Sequence, residues 1–240
     1  MDKSTAKLYL IPNTLGHNRP IDVMSKSIGK IIASIDYFVF EKEKMGRSYI
    51  KSWCPDKSQD KLNVLTLNKH TTQHELIRVL DPCMAGKDMA LITDAGCPGV
   101  ADPGADLVLL AHQSQIEVCP LVGPSAILLA LMASGLNGQK FAFNGYLPIC
   151  KQDCKKAIKK YERLSFQNNQ TQIFIETPYR NMRCFEILIE QLNPNTLLSV
   201  ACDLNLPTEM IRTKAIYEWT KGGLDLHKRP CIFLYLQPSA

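Results

Sequence analysis

The chain has 240 residues, enough for one large domain or two of about 120, and either can bury a substantial core. A hydrophobic fraction of 45% with 21% charged residues is ordinary for a globular protein and excludes extensive disorder. The longest apolar run, Ala126 to Ala133, falls far short of the ~20 residues a bilayer demands. The net charge of +5 is too weak by itself to argue for nucleic acid.

Met1-Asp2-Lys3-Ser4 leads directly into Lys7 to Ile11, an apolar strand, without the core of a signal peptide, so a cytoplasmic protein is expected. Pro12-Asn13-Thr14-Leu15-Gly16 turns the chain at the strand exit. A helix follows through Val23 to Ala33, and Asp36 to Phe40 is a second strand ending at Glu41-Lys42-Glu43-Lys44. Leu62 to Leu67 reads as a third strand, and His74 to Leu80 begins the helix that precedes Met89. Such alternation specifies a mainly parallel sheet with helices on both faces.

Met89 to Thr93 has the length of a buried strand, and Asp94-Ala95-Gly96-Cys97-Pro98-Gly99 can neither extend it nor start a helix. Asp102-Pro103-Gly104 then supplies an N-cap followed by a proline at the first helical position, with Leu107, Val108, Leu110 and Ala111 as the apolar face. The unit repeats at once. Glu117 to Leu121 is a strand, Gly123-Pro124 a turn, and Ser125 to Ser134 a helix that Gly135 can cap. Helix N-termini present unpaired N–H groups and glycines permit close backbone approach, so two such loops at strand exits suit an acceptor-rich ligand such as a nucleoside. The same residues have a purely architectural explanation, with Asp94 in an Asx-turn and Asp102 capping a helix.

Beyond Gly123 the rhythm changes. Phe141 to Phe143, Gln172 to Ile175 and Leu197 to Ala201 read as short strands, and Cys231 to Leu236 closes the chain as a β-segment without a following helix. An N-terminal α/β domain over 1–120 and a C-terminal α/β domain with a mixed sheet over 121–240, with a ligand cleft between them, explain this better than one long parallel sheet. Lys151, Lys155, Lys156, Lys159, Lys160 and Arg163 gather on one predicted helix, either as a solvated face or as a surface that meets phosphates. Nine cysteines without a C-x-x-C pair, and Cys150 and Cys154 without neighbouring histidines, point to reduced thiols and no metal site. No Gly-x-Gly-x-x-Gly follows the first strand, which disfavours a dinucleotide site.

The motifs TDAGCPGVADPG, VGPSA, ASG, FNGYLP and IETPYR occur in the order found in the tetrapyrrole methylase superfamily of S-adenosylmethionine-dependent methyltransferases. Within it the chain most resembles the ribosomal small subunit methyltransferase I branch, whose members methylate the 2′-hydroxyl of a cytidine in 16S ribosomal RNA; the resemblance runs from Leu8 to Leu236. It implies a homodimer of two-domain α/β subunits in a tetrapyrrole-methylase-like fold, mainly parallel in the N-terminal sheet and mixed in the C-terminal one. It also implies S-adenosyl-L-methionine in the interdomain cleft, an RNA substrate, and neither metal nor membrane. Carried over by motif, Leu15, Asp94, Gly96, Cys97, Pro98, Val100, Ser125 and Ala126 contact this donor, and Ile175, Ala201 and Pro230 line its adenine side. Leu15, Val100, Ile175 and Ala201 are equally the residues a buried core selects.

Methyl transfer to a hydroxyl needs the sulfonium and the acceptor oxygen in line, water excluded and a proton accepted. Glu41, Asp94, Asp102 and Glu176 are carboxylates at strand or loop ends, and Glu41, Asp94 and Glu176 are the expected catalytic group; Glu176 can equally pair with Arg180 one helical turn away. The chain departs from its branch at three places. It reads Glu41-Lys42-Glu43-Lys44 where Glu-Asp-x-Arg is usual, Pro12-Asn13-Thr14-Leu15-Gly16-His17 where Pro-Thr-Pro-Ile-Gly-Asn is usual, and Cys97 where threonine is usual. A lysine neutralises a phosphate but lacks arginine's planar fork. The expectation is a retained donor pocket, an altered acceptor side and a C-terminus shorter than in many relatives. The expected function is RNA ribose 2′-O-methylation; a tetrapyrrole or other small-molecule methylase and a non-catalytic donor-binding protein are the alternatives.

Overall fold

Successive residues of a strand point to opposite faces, and in the first sheet both faces are apolar. The computed structural model describes residues 6–67, 71–219 and 224–238, so the opening Met1-Asp2-Lys3-Ser4 segment lies outside the described residues. Strands β1 (Lys7–Ile11), β2 (Tyr37–Phe40), β3 (Asn63–Thr66), β4 (Met89–Ile92) and β5 (Glu117–Pro120) form one parallel sheet in the order β3-β2-β4-β1-β5. The register pairs Leu8 with Met89 and Val39 with Leu91, so these side chains share one face. Ile11, Phe38, Phe40, Ala90 and Ile92 fall on the other.

Each face attracts its own helices. Ile28 and Ile32 of α2 (Ser27–Ser34), which follows the single turn α1 (Pro20–Val23), and Tyr49 and Ile50 of α3 (Glu43–Trp53) cover the Phe38 face. Leu76 and Val79 of α4 (Gln73–Val79), Cys83 of α5 (Asp81–Met84), and Leu107 and Ala111 of α6 (Gly104–Gln113) cover the Leu8 face. The chain divides into two compact units, the first spanning 1–125 and the second 126–240.

The second unit contains α7 (Ala126–Ser134), β6 (Phe141–Tyr146), α8 (Lys151–Asn168), β7 (Thr171–Glu176), α9 (Asn181–Gln191), β8 (Leu197–Cys202), β9 (Met210–Ala215) and β10 (Cys231–Leu236). Its sheet runs β6-β7-β10-β8-β9, with β6 and β7 parallel and the remaining pairs antiparallel. Phe174, Val200, Phe233 and Tyr235 pack on Ile158 of α8 and on Phe185 and Leu188 of α9. The Tyr235 hydroxyl is wholly buried and donates to the Ile158 carbonyl at 3.2 Å, as a buried polar tip must. On the opposite face α7 lies along β8, β9 and β10, where the Thr213 hydroxyl donates to the Ser134 carbonyl at 2.8 Å.

Several elements differ from their sequence expectation. The helix expected over 23–33 is broken after α1, because Met24 is extended and the Ser25 and Ser27 hydroxyls bond to each other instead of supporting a helical turn. The acidic-basic stretch at the end of β2, for which no helix was expected, runs into α3, where Gly46, Tyr49 and Ile50 recur at helical spacing and Glu43 pairs with Arg47 one turn on. α6 starts at Gly104 with Pro103 in the cap position, one residue later than expected. Asp102 still binds this end, its Oδ1 accepting from the N–H groups of Gly99 and Gly104 at 2.7 and 2.8 Å. α7 begins at Ala126 rather than Ser125, and Gly135 ends it with φ of 72°.

Gly46 tests the packing. A Cβ there would lie 2.2 Å from the buried Phe40 ring, although alanine elsewhere inside a helix is favoured over glycine by about 1 kcal/mol. Gly46→Ala is therefore expected to destabilise by about 1–3 kcal/mol. A lowered urea midpoint checks this, and an unchanged or raised one contradicts the packing.

Candidate functional site

Strand order brings the exits of β2, β4, β1 and β5 side by side along one sheet edge. The β1 and β4 exits are joined by backbone: Asn13 N–H donates to the Gly96 carbonyl at 2.8 Å, and Gly96 N–H returns to the Asn13 carbonyl at 3.2 Å. The buried Asn13 side chain completes the join. Its Nδ2 donates to the carbonyls of Thr93 at 3.0 Å and Asp94 at 3.1 Å, while its Oδ1 accepts from Thr14 N–H at 2.8 Å. Thr14 in turn donates its hydroxyl to the Gly16 carbonyl at 2.7 Å.

The β5 exit is held against the same loops. Cys97 Sγ donates to the Pro124 carbonyl at 3.3 Å, and a Cβ on Gly123 would stand 2.2 Å from Pro12 Cγ, so only glycine lets these turns meet. Gly96 has φ of 74°, and a Cβ there would touch Leu15 Cδ2 and the Pro124 carbonyl at 3.6 and 3.8 Å. Leu15, Asp94, Gly96, Cys97 and Pro98 thus belong to one laced cluster. Val100 is exposed on the continuing loop, and Ser125 follows Pro124 directly. Burial pushes the Cys97 thiol above its ordinary pKa, so it is a neutral wall and not a nucleophile.

One ion pair joins the β2 and β4 exits at this edge. Lys42, the residue after Glu41 at the β2 exit, bonds through Nζ to Asp94 Oδ2, and that hydrogen bond and charge hold the ammonium above the usual lysine pKa. The half-buried Glu41 makes no hydrogen bond among the described residues. Sequence reasoning missed both Asn13 as the lock and Lys42 as the partner of Asp94. The signal lay in strand order, which sets residues of distant segments side by side.

The remaining expected residues lie in the second unit. Ile175 and Ala201 both pair with Ile232, on either side of it, so the sheet brings them into one row. Pro230 is exposed and accepts the Asp203 N–H at 3.0 Å; Ala126 opens α7. The Glu176 carboxylate accepts from Arg180 Nε at 2.9 Å and from Thr177 N–H at 2.6 Å, the ion-pair alternative weighed from the sequence. On α8, Lys155 pairs with Glu190, Lys156 with Asp153 and Lys159 with Glu162, while Lys151, Lys160 and Arg163 are exposed. Among the described residues no cluster of three or more His, Cys, Asp or Glu could hold a metal, and no helix is long and apolar enough to cross a membrane.

Gly96 and Gly99 take positive φ values of 74° and 77° and present main chain without a Cβ at these two points. No protein-family model matches the chain. The chain is similar in fold to cobalt precorrin-4 methyltransferase, with a TM-score of 0.61 and 15% identity over 98% of this chain and 97% of that one. It is 26% identical over 236 residues to the ribosomal RNA small subunit methyltransferase I of Escherichia coli O157:H7, covering 97% of this chain and 78% of the relative. Against the Streptococcus pyogenes serotype M6 protein of the same name, identity is 30% over 225 residues, covering 93% and 70% respectively. With that likeness along most of both chains, and with the expected motifs folded into laced strand exits, the chain belongs to the ribosomal RNA small subunit methyltransferase I family.

Proposed function

We propose that this chain, an S-adenosylmethionine-dependent methyltransferase by family, methylates a ribose 2′-hydroxyl of small-subunit ribosomal RNA at a cytidine-like position. The observation that carries the reading is the Asn13–Gly96 bridge, which joins two loops from the donor motifs beside an exposed ammonium, Lys42. Leu15, Asp94, Gly96, Cys97, Pro98, Val100, Ser125 and Ala126 are the proposed donor contacts. Ile175, Ala201 and Pro230 are assigned to its adenine side on the motif resemblance. A cytoplasmic homodimer belongs to the same reading.

When bound, the donor supplies an electrophilic methyl group on a sulfonium. The protein must orient it and keep water away, which fixed loops achieve without reorganising during reaction. A 2′-hydroxyl must also lose its proton. Glu176 is engaged by Arg180 and Asp94 by Lys42, which leaves Glu41, among these three, without a hydrogen bond among the described residues. We assign Glu41 as the proton acceptor and Lys42 as the residue that positions Asp94. The exposed cations Lys151, Lys160 and Arg163 supply phosphate contacts.

Incubation with methyl-labelled donor and small ribosomal subunits lacking the modification is expected to place label on RNA. Alkaline digestion should then leave a resistant dinucleotide, because a methylated 2′-oxygen cannot attack the neighbouring phosphate. Label on a base, or on no RNA while donor binding persists, would overturn the assignment. Glu41→Gln is expected to slow transfer by about 10²- to 10⁴-fold, the usual worth of a general base, with unchanged donor affinity. Single-turnover rates and calorimetry check this, and an unchanged rate removes Glu41 from the chemistry.

A further inference from the structure

Cys202 at the end of β8 and Cys231 at the start of β10 face each other across the antiparallel ladder. Both are buried, at 0% and 5% exposure, and the Cys231 thiol donates to Cys202 Sγ with 3.2 Å between the sulfurs. Their neighbours define the kind of pair. One ladder step further, Asp203 N–H donates to the Pro230 carbonyl at 3.0 Å, which makes Asp203 and Pro230 the hydrogen-bonded pair. Hydrogen-bonded and non-bonded pairs alternate, so Cys202 and Cys231 form a non-bonded pair, the position where opposite side chains come closest. Their Cα separation at such a position, about 4.5 Å, lies at the short end of the disulfide range.

An ion pair stands next to the two sulfurs in the chain. Arg229 Nε bonds to Asp203 Oδ2 at 2.7 Å, and its Nη2 donates to the Thr208 carbonyl at 2.6 Å, which fixes a guanidinium beside the two sulfurs. The hydrogen bond from the Cys231 thiol draws the Cys202 thiol below its ordinary pKa against burial and the Asp203 carboxylate, with Arg229 adding a smaller pull, while the same hydrogen bond and burial raise that of Cys231. One sulfur is thus prepared to attack and the other to follow.

We propose that Cys202 and Cys231 form an oxidisable dithiol, a disulfide-forming modification site whose co-reactant is a small hydroperoxide. The Cys202 thiolate attacks one peroxide oxygen, the O–O bond breaks, and the departing oxygen takes a proton and leaves as water. Cys202 is now a sulfenic acid. The Cys231 sulfur displaces its hydroxyl, which leaves as a second water with the remaining thiol proton. Two thiols and one hydrogen peroxide give one disulfide and two waters; the sulfurs lose two electrons and the peroxide gains them. The new bond closes the segment 203–230 and braces β8 to β10 beside Ala201 and Pro230.

The test treats the folded protein with hydrogen peroxide, then unfolds it, alkylates free thiols and maps peptides by mass. Cys202 and Cys231 are expected joined in one disulfide-linked pair that dithiothreitol releases. The oxidised protein should melt roughly 5 °C or more higher, as closure of a long loop implies. Cys231→Ser should abolish both effects. Alkylation of both residues after the exposed Cys150 has been oxidised, or linkage of either to a different cysteine, would overturn the proposal. Because the readout is the bond itself in the wild-type chain, the result stands whichever RNA or donor the protein uses.

Discussion

A pair of backbone hydrogen bonds between Asn13 and Gly96 holds the candidate site together. Parallel strands leave their exits adjacent but give loops no reason to keep one geometry, since loop backbone normally satisfies itself with water. Here the Asn13 amide takes over that role and saturates the carbonyls of Thr93 and Asp94 from within. Gly123 admits Pro12 and Gly96 turns left-handed beside Leu15, so the β5 turn also closes on this bridge. A preorganised surface results, and preorganisation allows binding energy to act on the donor instead of on ordering the protein.

The electrostatics follow from the same edge. Asp94 stands at the β4 exit and Lys42 at the neighbouring β2 exit, so the pair forms because β2 and β4 are sheet neighbours. Exposed ion pairs of this kind add little stability. Under the proposed function their value is directional, because a carboxylate paired with an ammonium repels a polyanion less than a lone one does. Lys42 thus sets the charge beside Asp94 without entering the Asn13–Gly96 bridge.

Much of this was legible from local pattern. β1 and β4 are short, largely apolar runs and β5 a four-residue edge strand, each followed by a Gly/Pro turn, and the structure places them as expected, as it does the lysine-rich α8. The failures have physical causes. α3 was hidden because its exposed face is charged and its buried face is only Gly46, Tyr49 and Ile50. β9 is an edge strand of MIRTKA with three consecutive polar residues, Arg212, Thr213 and Lys214, so it lacks both the apolar run and the polar alternation that mark a strand. α9 went unread because Glu176 and Arg180 suggested a site, whereas Cys184, Phe185 and Leu188 make the helix part of the core. Neither the Asn13 bridge nor the Lys42–Asp94 pair is visible locally, since each joins residues that only sheet order makes neighbours.

Calorimetric titration of S-adenosylmethionine into the wild-type chain and into Asn13→Ala, with urea melts in parallel to confirm folding, measures the central claim directly. Removing the amide leaves buried groups unpaired, at a cost of about 1–3 kcal/mol that appears as loosened loops. The account predicts donor binding by the wild type, weakened about tenfold or more in the folded variant. Equal affinities in two folded proteins, or no binding by either, would contradict it.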